Sequence, residues 1–116
     1  MLDIELTKEA NCLICILYKE YLIRRKHGSS REAAGTFRGS KYIHTEFLSK
    51  WQYEDVVAVC HELHNVGLMR CIASDFNILR IKFENKGITY MEKRFQRNIN
   101  SVLNYLAKIK NLIPLI

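Results

Sequence analysis

The chain has 116 residues, of which 48% are hydrophobic and 26% are charged. This length suits a single domain, 1–116, with one core, and the composition is that of a globular protein, not a disordered one. No apolar run approaches the roughly 18–20 residues that a membrane span needs. Asp3 and Glu5 stand where a secretory signal carries positive charge, so we expect a cytoplasmic protein with no membrane partner.

The charge balance favours a polyanionic partner. The formal net charge is +6, which suits nucleic acid, although net charge says nothing about the fold. The four cysteines, Cys12, Cys15, Cys60 and Cys71, all lie in apolar, periodic stretches. Because a cytosolic setting keeps such thiols reduced, we expect buried thiols rather than disulfides.

A first helix is predicted within residues 1–27. Thr7 is a suitable N-cap, and Glu9 follows in the first turn, where the helix dipole favours negative charge. The positive run at 24–27 suits a helix C-terminus, with Gly28 as the stop. Between these ends lies an apolar stripe at helical spacing, made by Ala10, Leu13, Ile14, Leu17, Tyr18 and Tyr21.

Residues 28–40 contain three glycines, three serines and little apolar content. This composition predicts a flexible loop, with at most a short helical turn at Arg31–Ala34. Loops this long often carry function, and a tolerated surface insertion explains the segment equally well.

Residues 41–84 predict two helices followed by a hairpin. The first helix begins at Ser40 or Lys41 and ends near Ser49, and the second runs from about Tyr53 to Val66, where Gly67 ends it. Two β-prone runs, Met69–Ala73 and Ile78–Phe83, flank a polar turn. Trp51 is expected to close the turn between the helices, and the inward residues are Ile43, Phe47, Leu48, Val56, Val59, Cys60 and Leu63.

Residues 85–116 predict one long C-terminal helix, with Asn85 as its N-cap and Pro114 just past its end. Its apolar residues recur at alternating steps of four and three, a spacing typical of a coiled-coil seam. A helix from about Lys86 to Asn111 is about 39 Å long, more than a small domain needs. We therefore predict a homodimer formed through Phe95, Ile99, Val102, Leu106, Ile109 and Ile113.

Two short motifs invite a search for metal or redox chemistry. Cys12-Leu-Ile-Cys15 is a C-x-x-C pair and His61-Glu-Leu-His64 an H-x-x-H pair, which together could supply four zinc ligands. No glycine-containing knuckle surrounds the cysteines, and the gap between the pairs far exceeds finger spacing. Core thiols and ordinary helix histidines are the better interpretation, so no metal and no cofactor is predicted. No catalytic motif is present either, and nothing argues for an enzyme.

The order helix, turn, helix, hairpin, helix over Tyr42–Glu92 resembles the winged helix-turn-helix superfamily. The residues that carry the resemblance are 56–68, the hairpin, and Asn85-Lys-Gly-Ile-Thr-Tyr-Met-Glu92. The chain is similar to small bacterial and prophage winged-helix DNA-binding proteins with a C-terminal dimerisation helix. The resemblance implies an α+β fold with a two-stranded wing, and a DNA-binding transcriptional regulator, encoded by a phage or other mobile element.

In such a protein the second helix of the motif enters the major groove and the wing contacts phosphate or the minor groove. Carried onto this sequence, the resemblance places Gln52, Tyr53, His61 and Asn65 at the groove of double-stranded DNA. The expected phosphate contacts are Lys41, Arg70, Arg80 and Lys82.

The outward face of the predicted groove helix also carries Glu54, Asp55 and Glu62, which phosphates repel. This leaves a rival hypothesis, in which the scaffold is a protein-protein interaction module that does not bind DNA.

Overall fold

The computed structural model describes residues 4–110, which form six helices and a three-stranded antiparallel sheet, an α+β fold. No helix in that part of the chain has both the length and the apolar character needed to cross a membrane. In chain order the elements are α1 (Lys8–Lys26), α2 (Arg31–Ala34), β1 (Thr36–Arg38), α3 (Ser40–Glu46), α4 (Tyr53–Asn65), β2 (Met69–Ser74), β3 (Asn77–Phe83), α5 (Asn85–Phe95) and α6 (Ile99–Ile109).

Helix α1 is the centre of the core. The Thr7 side chain accepts a hydrogen bond from the Ala10 amide at 3.2 Å, and Gly28 follows the helix with a φ of +97°. Both ends therefore use the residues that the sequence indicates. Every residue from Cys12 to Tyr18 is buried, including positions outside the predicted stripe, because other elements cover the helix on several sides.

The helices α3 and α4 pack against each other and against the sheet. Trp51 closes the turn between them with 5% of its surface exposed, and α4 turns Val56, Val59, Cys60 and Leu63 inward. Helix α3 is shorter than predicted, since it ends at Glu46 and not near Ser49.

The short helical turn that the sequence allows at Arg31–Ala34 is present as α2, but the prediction of a loop over the rest of 28–40 is wrong, because Thr36–Arg38 form β1. Ser30 caps α2 by accepting from the Ala33 amide at 3.1 Å, and β1 pairs antiparallel with β3 while burying Phe37. The prediction of a two-stranded wing is incomplete for the same reason, since the sheet has the order β1-β3-β2. The hairpin turn itself is tight, with Asp75 at a φ of 49° and a bulge near Ile72 and Ala73.

The prediction of one long C-terminal helix is also wrong. Gln96 and Arg97 adopt left-handed backbone conformations, with φ of 52° and 60°, and separate α5 from α6. Asn98 then caps α6 by accepting from the Ser101 amide at 3.2 Å. At the other end the N-cap of α5 is Glu84 and not Asn85, which is the first helical residue.

The break changes what the apolar seam does. Phe95, Val102 and Ile109 are buried within the single chain, and Ile99 and Leu106 are partly buried. Helix α6 packs on α1, where Asn11 Nδ2 donates to the Tyr105 hydroxyl at 2.7 Å. Phe95, Val102, Leu106 and Ile109 therefore pack against this chain's own core rather than forming a free surface, and Ile113 lies outside the described residues.

The start of α5 depends on a close backbone approach. A Cβ atom added to Gly87 would overlap the Leu68 carbonyl, whereas one added to Gly35 would come no nearer than 3.2 Å to the Arg31 carbonyl.

We expect Gly87→Ala to lower the free energy of unfolding by about 1–3 kcal/mol, through forced displacement of the backbone. Urea unfolding is the measurement, and Gly35→Ala is the control. An equal loss in both variants would contradict the close approach.

Candidate nucleic-acid interface

Four cations share the solvent face of the sheet. The register sets Arg38 opposite Arg80 and Arg70 opposite Lys82, and paired residues of neighbouring strands project on the same side. Arg38, Arg70 and Arg80 are exposed, and Lys82 is half-buried with its Nζ 3.0 Å from Glu32 Oε1. We call these four residues the basic sheet face. The sequence predicts three of them as phosphate contacts. It does not assign this role to Arg38, which it places in a loop and not on a strand.

Lys41 lies close to this face. It is exposed in the first turn of α3 and lines a shallow groove together with Arg38, Tyr42 and Leu79. The Arg38 guanidinium stands 5.9 Å from the centre of the Tyr42 ring. Lys41 and the basic sheet face thus form one cationic surface on the side of the molecule that includes the hairpin.

The outward face of α4 is mixed in charge. Gln52, His61 and Asn65 are exposed, but so are Glu54 and Asp55 in the first turn. Glu62, predicted as a third outward carboxylate, instead accepts hydrogen bonds from the Thr7 amide and hydroxyl at 2.9 and 2.7 Å. One of the three repulsive carboxylates is therefore held at the start of α1.

Tyr53 connects three elements. Its hydroxyl lies 2.7 Å from Ser40 Oγ on α3 and donates to Asn77 Oδ1 at the start of β3. Ser40 is fully buried and its Oγ also accepts from the Ile78 amide at 3.0 Å. The hydroxyl that was predicted at the DNA groove thus fixes α4 to the hairpin.

His64 and the cysteines take structural positions. His64 Nδ1 accepts a hydrogen bond from the Cys71 amide at 3.1 Å, which links the end of α4 to β2. Burial raises the pKa of Cys12 to about 12 and that of Cys15 to about 11. Within residues 4–110 no three potential ligands come together as a metal site.

No family model, curated protein or solved structure matches the chain. The winged helix-turn-helix assignment therefore stays a prediction that rests on the order of the elements and on the residues above.

The role of Tyr53 can be tested through stability. Tyr53→Phe removes the hydroxyl and leaves the buried Ser40 with one partner fewer, so we expect a loss of about 0.5–1.5 kcal/mol in the free energy of unfolding. Gln52→Ala, next to it and exposed, should change stability by less than about 0.5 kcal/mol. Thermal or urea unfolding of both variants is the measurement. If Tyr53→Phe leaves the free energy of unfolding unchanged, the hydroxyl does not stabilise the fold, and the parent chain could use it to contact a ligand.

The buried thiols predict a loss of stability in alkali. Burial raises the pKa of Cys60 from 9.0 to about 12, so this thiol ionises in the unfolded chain before it ionises in the folded one. Its contribution is complete below pH 9.0 and is lost as pH rises towards about 12. We expect the free energy of unfolding to fall less steeply over this range in Cys60→Ala than in the parent chain. An equally steep fall in the two proteins would show that the fold does not protect the Cys60 thiol from ionisation.

Proposed function

We propose that this protein is a winged helix-turn-helix protein that binds double-stranded DNA and acts in transcriptional control. The order of α3, a short turn, α4, the hairpin β2–β3 and α5 supports the proposal, because the resemblance implies this order. The proposal assigns the groove-facing position to α4 and the phosphate contacts to the sheet and to Lys41.

The observation that carries the proposal is the pairing of like charges on the basic sheet face. Arg38 lies opposite Arg80, and Arg70 lies opposite Lys82. Directly opposed like charges destabilise a sheet, and Glu32 is the one carboxylate within ion-pair distance of the four residues in the described part of the chain. A row of phosphates would relieve this repulsion, and basic side chains gain binding energy by releasing the counterions of DNA.

Base recognition would fall to the outer face of α4. His61 and Asn65 are exposed in its second half, and Asn pairs with the edge of adenine in the major groove. Glu54 and Asp55 are nearer the start of the helix and oppose close approach there. Binding would therefore depend on backbone contacts from the sheet, with few base contacts from α4. A homodimer would provide a second half-site. Because the seam is buried within the single chain, a dimer would need either another surface or an exchange of α6 between two copies.

A protein-protein interaction module is the second candidate. The hairpin exposes three apolar side chains, with exposed fractions of 52% for Ile72, 87% for Phe76 and 57% for Leu79. Together with the acidic start of α4, this surface would suit a protein partner better than a polyanion.

Charge reversal separates the two candidates. We expect Arg70→Glu with Arg80→Glu to weaken binding to random-sequence duplex DNA and to reduce the slope of log affinity against log salt by about 1.8, since each lost phosphate contact contributes about 0.9. Filter binding or fluorescence anisotropy across a salt series is the measurement.

The matched control is Lys93→Glu with Lys108→Glu, which makes the same change in net charge at exposed positions of α5 and α6. This control should keep the parent salt slope. No binding of the parent chain at low salt, or equal losses in both double variants, would contradict the DNA interface and favour the interaction module.

A further inference from the structure

A second cationic feature adjoins the candidate DNA interface, in a cleft between the end of α1, α2 and α5. The cleft has a volume of about 300 Å³, at the small end of the range for ligand sites. Tyr21 and Ile88 line it with only 4% and 7% of their surfaces exposed. Tyr21 also stacks on the fully buried Tyr18 at a centroid distance of 5.9 Å, which fixes this wall of the cleft.

Three arginines line this α5 cleft: Arg25 and Arg31, which are close in the sequence, and the distant Arg97. Arg97 Nε lies 2.8 Å from Glu92 Oε2, and Glu92 is the one carboxylate of the lining. Arg25 donates to the Ser29 carbonyl at 3.1 Å and Arg31 to Asn85 Oδ1 at 3.4 Å, and neither has a carboxylate at ion-pair distance within residues 4–110. The three arginines and the one carboxylate therefore give the lining a net charge of +2.

Neutral hydrogen-bonding groups complete the site. Asn85 and Thr89, one turn apart on α5, line the same cleft as the arginines. Guanidinium groups present several N–H donors in a planar fork that matches the oxygens of phosphate, and amide or hydroxyl groups can add further bonds.

We infer that the α5 cleft binds a small phosphomonoester. A phosphomonoester dianion matches the unbalanced charge, and the cleft volume admits a phosphate with a short organic group. The bulk of the ligand would rest on the wall formed by Tyr21 and Ile88, while its phosphate takes donors from Arg25 and Arg31. This inference does not rest on DNA binding.

A phosphate could also come from a nucleic acid, because Arg31 and Asn85 line a neighbouring cavity together with Arg70 and Lys82 of the basic sheet face. The concave shape of the cleft favours the free monoester. A duplex presents its phosphates on a broad convex surface, each with one charge.

The test is a titration with glycerol 3-phosphate at constant ionic strength, followed by the backbone amide resonances of the protein. We expect saturable shifts at Asn85, Thr89 and Arg31. Arg25→Gln with Arg31→Gln should raise the midpoint at least about tenfold, since a hydrogen bond to a charged group contributes about 1.5–3 kcal/mol. Lys93→Gln with Lys108→Gln, which removes the same charge outside the cleft, should leave the midpoint unchanged.

Three results would overturn the inference: shifts that do not saturate, shifts scattered over the basic surface, or equal losses in the two double variants. If the arginine variant does not fold, the parent chain still tests the inference, through whether its shifts saturate and are confined to the residues of the cleft. A duplex that displaces glycerol 3-phosphate and shifts the same cleft resonances would assign the site to nucleic acid and overturn the small-molecule assignment. Absence of DNA binding would leave the result with glycerol 3-phosphate unaffected.

Discussion

The burial of α1 is the constraint on which the rest of the fold depends. The apolar run Cys12–Tyr18 cannot be covered by a single neighbour, because a helix that is apolar all round must be enclosed. Helix α4 covers one side, α6 another, and α2 and α5 contact the helix as well. The polar contacts follow the same geometry, since Asn11 accepts from Arg94 at 2.8 Å and donates to Tyr105 at 2.7 Å. Helices α5 and α6 are therefore held on α1 by polar contacts as well as by apolar packing.

The two cationic surfaces differ in what holds their like charges close together. On the sheet, backbone hydrogen bonds of the β1-β3-β2 ladder hold Arg38 opposite Arg80. Within residues 4–110, the Arg70–Lys82 pair alone has a carboxylate at ion-pair distance, that of Glu32 beside Lys82. In the α5 cleft the arginines lie on α1, on α2 and in the turn between α5 and α6, and no strand pairing holds them opposite one another. The first arrangement suits a long, evenly charged surface, whereas the second suits a single compact anion. Arg31, which lines both cavities, lies where the two surfaces meet.

Local signals could be predicted from the sequence, and contacts between distant segments could not. Thr7 caps the start of α1, and Gly28 and Gly67 stop α1 and α4 by adopting positive φ. The observed bounds of these two helices are therefore close to the predicted ones. Strand β1 has three residues and exists because β3 pairs with it, so no local pattern predicts it, and Arg38 was missed with it. The break at Gln96 and Arg97 contains neither glycine nor proline, and the apolar spacing continues across it because α5 and α6 both contact α1. The same break places Arg97 in the turn between α5 and α6, from which it lines the α5 cleft together with Arg25 and Arg31.

The left-handed residues Gln96 and Arg97 are also a candidate hinge between α5 and α6. Each such conformation costs about 1–3 kcal/mol in a residue other than glycine, so a continuous helix through 96–98 would be a competing state of the same chain. In that state α6 would leave its own α1 and could cover the α1 of a second copy. Such domain swapping would keep the packing of α6 on α1 while making it intermolecular. The coiled-coil spacing in the sequence and the folded-back helix in the structure would then be two outcomes of one hinge.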